Sequence, residues 1–183
     1  MVSPNGRQIV YSAGSAERAG VWRMGIDGTE ATRLVSGRAS LPEISPDGRY
    51  VAYLESPLTR GSVVRVVSLP DGAPVPFEIR ISRPKDTVVT LGRLRWMPDG
   101  RAIAFIGQDE NGVTGVFVQD FVPGKDTSAT LRKLGGFDPE APTESFAISP
   151  DGSRMVVTRW EQLFGIMMAE GLPEIVPSRP RGR

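Results

Sequence analysis

The sequence predicts an all-β fold built from tandem repeats, and two observations support this prediction. A four-residue turn motif occurs four times, at spacings of 42, 52 and 52 residues, and an apolar run follows each copy. The copies are Ser3-Pro4-Asn5-Gly6, Ser45-Pro46-Asp47-Gly48, Met97-Pro98-Asp99-Gly100 and Ser149-Pro150-Asp151-Gly152. A repeat of about 40–50 residues that contains four short strands is typical of one blade of a β-propeller.

The motif itself predicts a tight turn between two strands. Proline presets φ at the first corner, Asp or Asn bonds back to the local backbone, and glycine takes the left-handed conformation that closes the bend. We therefore interpret the motif as structural rather than catalytic. The residues with this predicted role are Pro4, Asn5, Gly6, Pro46, Asp47, Gly48, Pro98, Asp99, Gly100, Pro150, Asp151 and Gly152.

Four strands are predicted in each repeat, taken here in chain order. The first precedes the turn, at 41–44, 91–96 and 143–148. The second follows the turn as a continuous apolar run, which is typical of a strand buried on both faces; it covers 9–11, 51–53, 103–105 and 155–157. The third covers 21–24, 64–67, 116–118 and 164–167, and the fourth covers 32–34, 77–79, 131–134 and 174–176.

The repeats divide the chain into about four blades, at approximately 1–37, 38–84, 85–137 and 138–177, followed by a basic tail at 178–183 that we expect to be disordered. Only Met1 and Val2 precede the first turn, so the first blade is predicted to lack its opening strand. Because propellers contain four to eight blades, we interpret the chain as part of a larger propeller, with a closed four-bladed ring as the alternative. A β-sandwich is the alternative fold, although it does not need equally placed turns.

An open arc of blades has a consequence for association. Each of its two end blades would expose a contiguous apolar face, and such faces are normally covered in a stable protein. Missing blades are one possible cover, and a second copy is another. The sequence therefore leaves open a homodimer in which two copies complete a larger propeller.

The composition excludes several classes of function. Lys and Arg number 22 against 21 Asp and Glu, so the net charge of +1 does not indicate binding to nucleic acid through bulk charge. The chain has no cysteine for disulfides and no histidine, the commonest general base and metal ligand. No segment reaches the roughly 20 apolar residues that span a bilayer, and the N-terminus lacks the pattern of a signal peptide. We therefore expect no membrane insertion by this chain, and the cellular compartment stays undetermined.

No catalytic or cofactor motif is recognisable. There is no Gly-x-Ser-x-Gly elbow, and Gly124-Lys125 is followed by Asp126 where a P-loop requires Ser or Thr. The pairs Asp27-Gly28 and Asp71-Gly72 are explained as hairpin turns, since they lack the alternating oxygen ligands of a calcium loop. The sequence predicts a binding module that is not an enzyme and that holds no metal or cofactor.

In a propeller the innermost strand of each blade lines the central channel, and ligands usually sit on one face of the ring. The best candidates for a polar site are therefore Ser40, Glu43, Arg93, Arg95 and Glu144. The alternative interpretation is a solvated rim of mixed charge, because loops are surface structures. The tryptophans at 22, 96 and 160 are interpreted as inter-blade packing rather than as stacking platforms.

The blade pattern resembles the TolB-type, WD-repeat-like propeller family. Its signature is an apolar residue, then Ser-Pro-Asp-Gly, a basic residue and an apolar triplet; Met97 and Ser153 depart from it here. The apolar lead residues are Ile44, Trp96 and Ile148, and the basic residues are Arg7, Arg49 and Arg101. The resemblance implies a module that binds a protein or peptide partner.

The last repeat, at 148–152, 160–163 and 167–171, resembles the C-terminal propeller of some bacterial serine/threonine protein kinases. That resemblance implies a sensor or scaffold attached to a receptor-like kinase, with the propeller on the extracytoplasmic side if the parent is anchored in the membrane. No kinase residue can be transferred to any position of this chain. The alternatives are a TolB-like periplasmic interaction propeller and the gating propeller of a prolyl-oligopeptidase-like peptidase.

Overall fold

The structure, a computed structural model, describes residues 1–56, 61–81 and 93–159. The strands in these ranges are β1 (Gln8–Ala13), β2 (Gly20–Gly25), β3 (Thr32–Ser36), β4 (Ala39–Ile44), β5 (Tyr50–Glu55), β6 (Ser62–Ser68), β7 (Pro74–Ile81), β8 (Leu94–Trp96), β9 (Ala102–Gln108), β10 (Thr114–Asp120), β11 (Arg132–Gly135), β12 (Thr143–Ile148) and β13 (Met155–Arg159). A short 3-10 helix, Ser128–Thr130, precedes β11. The strands predicted at 164–167 and 174–176, Trp160 and the tail at 178–183 lie outside the described residues.

The strands form antiparallel sheets whose order in space follows the order in the chain. The second sheet is β4-β5-β6-β7 and the third is β8-β9-β10-β11, each a four-stranded meander. The first sheet is β1-β2-β3, and the last contains β12 and β13 within the described residues. These are the blades that the repeat predicts, and the all-β expectation is confirmed.

A single bridge takes the place of an innermost strand in the first sheet. Val2 forms an isolated antiparallel bridge with Ile9, and the Val10 N–H donates to the Met1 carbonyl at 2.8 Å. These two residues therefore stand where β4, β8 and β12 stand in the later sheets. As expected, the first sheet has a single bridge at the position where the later sheets have an innermost strand.

All four turn motifs adopt the same geometry. The glycine N–H donates to the carbonyl of the first motif residue at 2.8 Å in every copy, and the glycine φ is +70° to +72°. In the second copy the Asp47 carboxylate accepts from the Ser45 hydroxyl at 2.5 Å and from the Arg49 N–H at 3.0 Å. Because L-residues with side chains rarely adopt that φ, glycine is required at the last position.

The turns of successive blades also pack against one another. A Cβ added to Gly48 would lie 3.6 Å from the Pro4 ring, and one added to Gly100 would lie 3.7 Å from the Pro46 ring. The corresponding distance from Gly152 to Pro98 is 3.9 Å. Each motif proline therefore rests on the glycine of the next motif, and we call this series of contacts the turn ladder.

Apolar layers lie between the sheets. Val10 and Val21 of the first sheet share a cluster with Val51, Tyr53 and Leu69 of the second. The layer between the second and third sheets is centred on Phe121, whose ring meets Tyr50, Phe77 and Trp96 edge-on at centroid distances of 5.3, 5.0 and 4.8 Å. Burial between blades therefore accounts for Trp96, as expected.

The continuous apolar runs are buried on both faces only in the middle of the arc. β5 and β9 are buried on both faces, as predicted. The expectation is wrong for β1 and β13, where alternate side chains remain accessible. Among the described residues these two strands have a neighbouring sheet on one side only. Trp22 on β2 is accordingly only partly buried, with the Arg33 guanidinium 5.3 Å from its ring centroid.

Candidate functional site

Four of the five predicted channel residues pair across adjacent blades. The Arg95 guanidinium, on β8, forms an ion pair with the Glu43 carboxylate on β4. Arg93, directly before β8, lies with its Nη2 3.8 Å from Oε1 of Glu144 on β12. The two ion pairs thus connect the innermost strands of three consecutive blades, and we call them the channel pairs. Ser40 lies at the start of β4 opposite Leu54 and takes no part in them.

Glu43 is the most buried member of the channel pairs. Burial raises the pKa of its carboxyl to about 7, while the neighbouring Arg95 charge acts in the opposite direction. Its main chain is held as well, because the Trp96 indole N–H donates to the Glu43 carbonyl at 3.0 Å. The third blade therefore fixes both the backbone and the side chain of this residue.

A backbone irregularity precedes Glu43. The pairing of β4 with β5 shifts register between Ser40 and Glu43, and Leu41 has a φ of +51°. A non-glycine residue in this region is strained, and such strain tends to occur where a side chain must be aimed. The sequence signal is Pro42, since proline inside a strand marks a bulge or an edge. Sequence reasoning did not use it.

The channel pairs leave guanidinium groups accessible. Arg93, Arg95 and Glu144 are each roughly two-fifths exposed, whereas the Glu43 side chain is nearly buried. In the pair of Arg95 and Glu43, the Arg95 guanidinium is therefore the group that an incoming molecule would meet. Guanidinium groups bind carboxylates with two parallel hydrogen bonds, so the geometry favours an anionic ligand group.

A second concavity, which sequence reasoning missed, lies at the outer side of the second and third blades. It encloses about 790 Å³ between β6, β7 and the loop that leads to β11. Its polar walls already satisfy one another: Arg65 lies 2.5 Å from Glu55 and 3.4 Å from Glu78, and the Gln119 amide donates to the Glu78 carbonyl at 3.4 Å. Pro74 and Pro76 in β7 are the sequence signal for this exposed edge.

In the described ranges 1–56, 61–81 and 93–159, no three or more Asp or Glu side chains come close enough together to hold a metal ion. In the same part of the chain, none of the helical segments has the length and hydropathy needed to cross a membrane.

Comparisons with known proteins identify the fold. No protein-family description matches the chain, and no curated protein matches it. Among solved structures, TolB from Acinetobacter baumannii superposes with a TM-score of 0.58 at 19% identity, over 85% of this chain and 36% of that one. A TolB from Agrobacterium tumefaciens gives 0.58 at 23% identity, over 88% and 57%. A prolyl endopeptidase gives 0.59 at 20% identity, over 88% and 24%.

These likenesses concern the fold alone. Together with the four-stranded antiparallel sheets, they show a β-propeller fold. The chain spans between about a quarter and three-fifths of the length of the structures it matches.

Proposed function

We propose that this chain is a non-catalytic propeller module that binds an acidic peptide segment of a partner protein at the channel pairs. The single observation that supports this proposal is the position of Arg93 and Arg95, which are both accessible at the innermost strand of the third blade. A carboxylate from a partner can compete for either guanidinium without unfolding a strand. The two cations flank Leu94, two positions apart in the sequence, so they define a short, directional site.

Glu43 makes this site selective rather than simply basic. Its carboxylate neutralises part of the Arg95 charge, so a ligand must supply hydrogen-bond geometry as well as negative charge. The near-neutral net charge of the whole chain acts in the same direction, because it provides no bulk attraction for polyanions. Recognition of a specific peptide is therefore favoured over binding to nucleic acid.

The biological setting that we propose is the sensor or interaction portion of a bacterial signalling protein, such as a receptor-like serine/threonine kinase. The support is the resemblance of the last repeat, and the module is proposed to extend over residues 1–177. Determining the coding sequence on both sides of this chain tests the setting. A kinase domain upstream supports it, whereas a signal peptide indicates a TolB-like periplasmic protein and a downstream hydrolase domain indicates a gating propeller.

Peptide selection tests the binding site. Random peptides displayed on phage are selected on the immobilised full chain, and the affinity of the enriched peptides is measured by isothermal titration calorimetry. We expect enrichment of Asp and Glu, and we expect Arg95→Ala and Arg93→Ala to weaken binding by about tenfold or more, as removal of a charge-assisted hydrogen bond does.

The matched control is Arg132→Ala. Arg132 lies on the outermost strand of the third blade, is about half-exposed, and pairs with Asp120 at 2.9 Å. This variant should bind as the wild type does. Enriched peptides that keep full affinity for both channel variants, or that carry no acidic residues, would contradict the proposed site.

A further inference from the structure

Each sheet of the stack has a leading face, turned toward the preceding sheet, and a trailing face, turned toward the next. Equivalent positions in the first three sheets are matched by a hydrogen bond that recurs in each of them. The residue directly after β2, β6 or β10 donates its N–H to the carbonyl of the arginine that follows the turn motif of the same blade. The donors are Ile26, Leu69 and Phe121, at 2.9, 2.8 and 2.7 Å. Leu69 and Phe121 are 4% and 7% exposed on leading faces, whereas Ile26 is 54% exposed.

The rest of the first leading face shows the same difference. Val2 is more than half exposed, although Ile44 and Trp96, its equivalents before the second and third turns, are buried. Other apolar side chains of this face are only partly covered: Ile9, Tyr11, Trp22 and Met24. The first sheet therefore presents, to solvent, the apolar set that the later sheets bury against a preceding blade.

The last sheet has the complementary feature on its trailing face. The middle residue of the apolar run after the turn is Val10, Ala52, Ala104 and Val156 in the four repeats. The first three are 0% exposed, because the next sheet covers them. Val156 is 67% exposed. A position that is completely buried in three blades is thus open to solvent in the fourth.

The turn ladder is also incomplete at both ends. Gly48, Gly100 and Gly152 each carry the proline ring of the preceding motif, but an added Cβ at Gly6 would meet no atom within 4 Å among the described residues. Pro150 is the corresponding proline at the other end of the ladder. A trailing face that carries a motif proline could therefore pack on the first sheet with that proline against Gly6, as Pro4 packs against Gly48.

We propose that a second copy of this chain covers these faces. The trailing face of the last sheet of each copy packs on the leading face of the first sheet of the other, so that Pro150 rests on Gly6 and Val156 and Ile26 become buried. A two-fold axis along the channel then relates two identical contacts, and the two copies form an eight-bladed ring. A second copy is the partner whose shape is already seen, because every internal blade junction uses the same contact.

This inference does not depend on peptide binding at the channel pairs. A dimer that binds no peptide would leave it intact, and a monomer that binds peptide would overturn it alone. If both hold, the second copy completes the channel wall that the pairs line.

Analytical ultracentrifugation of the full chain over a range of concentrations tests the dimer. We expect twice the 19.8 kDa mass of one chain. Ile26→Asp and Val156→Asp each place a carboxylate where the interface is apolar, and we expect each to weaken the dimer by about a hundredfold or more. Since both side chains are exposed in the single chain, the variants should fold, which circular dichroism checks.

The matched control is Leu134→Asp, at an exposed leucine of the third sheet, which has a neighbour on both sides. It should dimerise as the wild type does. A mixture of Ile26→Asp and Val156→Asp contains one intact trailing face and one intact leading face, so it should form a heterodimer that neither variant forms alone. A monomeric wild type overturns the proposal, and so does a Val156→Asp variant that dimerises alone through its leading faces.

Discussion

At the scale of single residues, Glu43 is a carboxyl group whose pKa is raised by burial. A buried carboxylate is costly unless it is paired, and here the Arg95 guanidinium supplies the pair while the Trp96 indole holds the adjacent carbonyl. Burial nevertheless dominates, so the folded state binds a proton at Glu43 more readily than the unfolded chain does. This residue therefore couples the stability of the channel wall to pH.

We predict that Glu43→Gln removes a component of the pH dependence of stability. The pKa of Glu43 is raised from 4.5 to about 7 on folding, so its contribution to stability is fully present below about pH 4.5 and is lost as pH rises to about 7. That loss amounts to at most about 3 kcal/mol. Urea denaturation of wild type and variant at intervals from about pH 4.5 to 8 should show the difference between them changing across this window and constant above it.

Glu144→Gln is the control for that measurement, because Glu144 is a half-exposed glutamate on a neighbouring innermost strand. It removes a carboxyl group from the channel wall but leaves the Glu43 carboxyl in place, so a change that both variants share would not be specific to Glu43. If Glu43→Gln and wild type give parallel curves throughout, the Glu43 carboxyl does not titrate in this window and its burial has no such consequence.

The sequence could place these residues but could not show their contacts. The distance from each residue to its turn motif assigns Glu43, Arg95 and Glu144 to innermost strands, and adjacent innermost strands are neighbours in any propeller. The burial of Glu43 depends on the shift of register that begins at Leu41, and a one-residue shift reverses the face of every side chain. Pro42 marks where such a shift can occur. Packing between blades decides which side chains it turns inward, so the burial of Glu43 was not predictable from the pattern.

At the scale of elements, the turns determine how closely blades approach. The second hairpin turn of the second blade presses on the first blade: a Cβ added to Gly72 would lie 2.7 Å from the Leu34 carbonyl oxygen. The equivalent turn of the first blade has open space around Gly28. Both glycines have a left-handed φ, of +72° and +85°, so a side chain would strain the backbone at either position. Only at Gly72 would it also contact the neighbouring blade, so comparing the two positions isolates the effect of that contact.

We predict that Gly72→Ala destabilises the protein more than Gly28→Ala does. Both alanines must adopt an unfavourable φ, at a cost of about 1–2 kcal/mol. Only Ala at 72 must also push the first blade away, which adds about 1–3 kcal/mol, as overpacking does. Chemical denaturation at one fixed protein concentration measures both, and equal losses of stability would show that the junction relaxes around Leu34 at no cost.

The positions of the strands were predictable, whereas the exposure of the first and last sheets was not. The repeated turn chemistry and the apolar runs fix where each of the described strands lies, because local sequence decides both. Exposure depends on what lies next to a sheet, which a single blade does not encode. This is why β5 and β9 match the prediction of two buried faces while β1 and β13 do not.

At the scale of the whole molecule, the blades form a nearly one-dimensional stack. In such proteins stability is approximately a sum of the stability of each unit and of its contacts with the neighbouring units. Among the described residues, the second and third sheets have an apolar layer on each side, whereas the first sheet has one on its trailing side only. The end sheets should therefore open locally at lower free energy than the middle of the stack.

Native-state hydrogen exchange, followed by mass spectrometry, should report this gradient directly. We predict the slowest exchange in β5, β9 and β10 and faster exchange in β1 to β3 and in β12 and β13, because the latter lose only one layer on opening. If two copies close a ring, raising the protein concentration favours the dimer, in which each end sheet gains an apolar layer on its free face. Exchange should then slow at the end sheets and stay unchanged in β9 and β10. Uniform protection at every concentration would contradict an open stack, and a gradient that does not respond to concentration would leave the stack open but without a second copy.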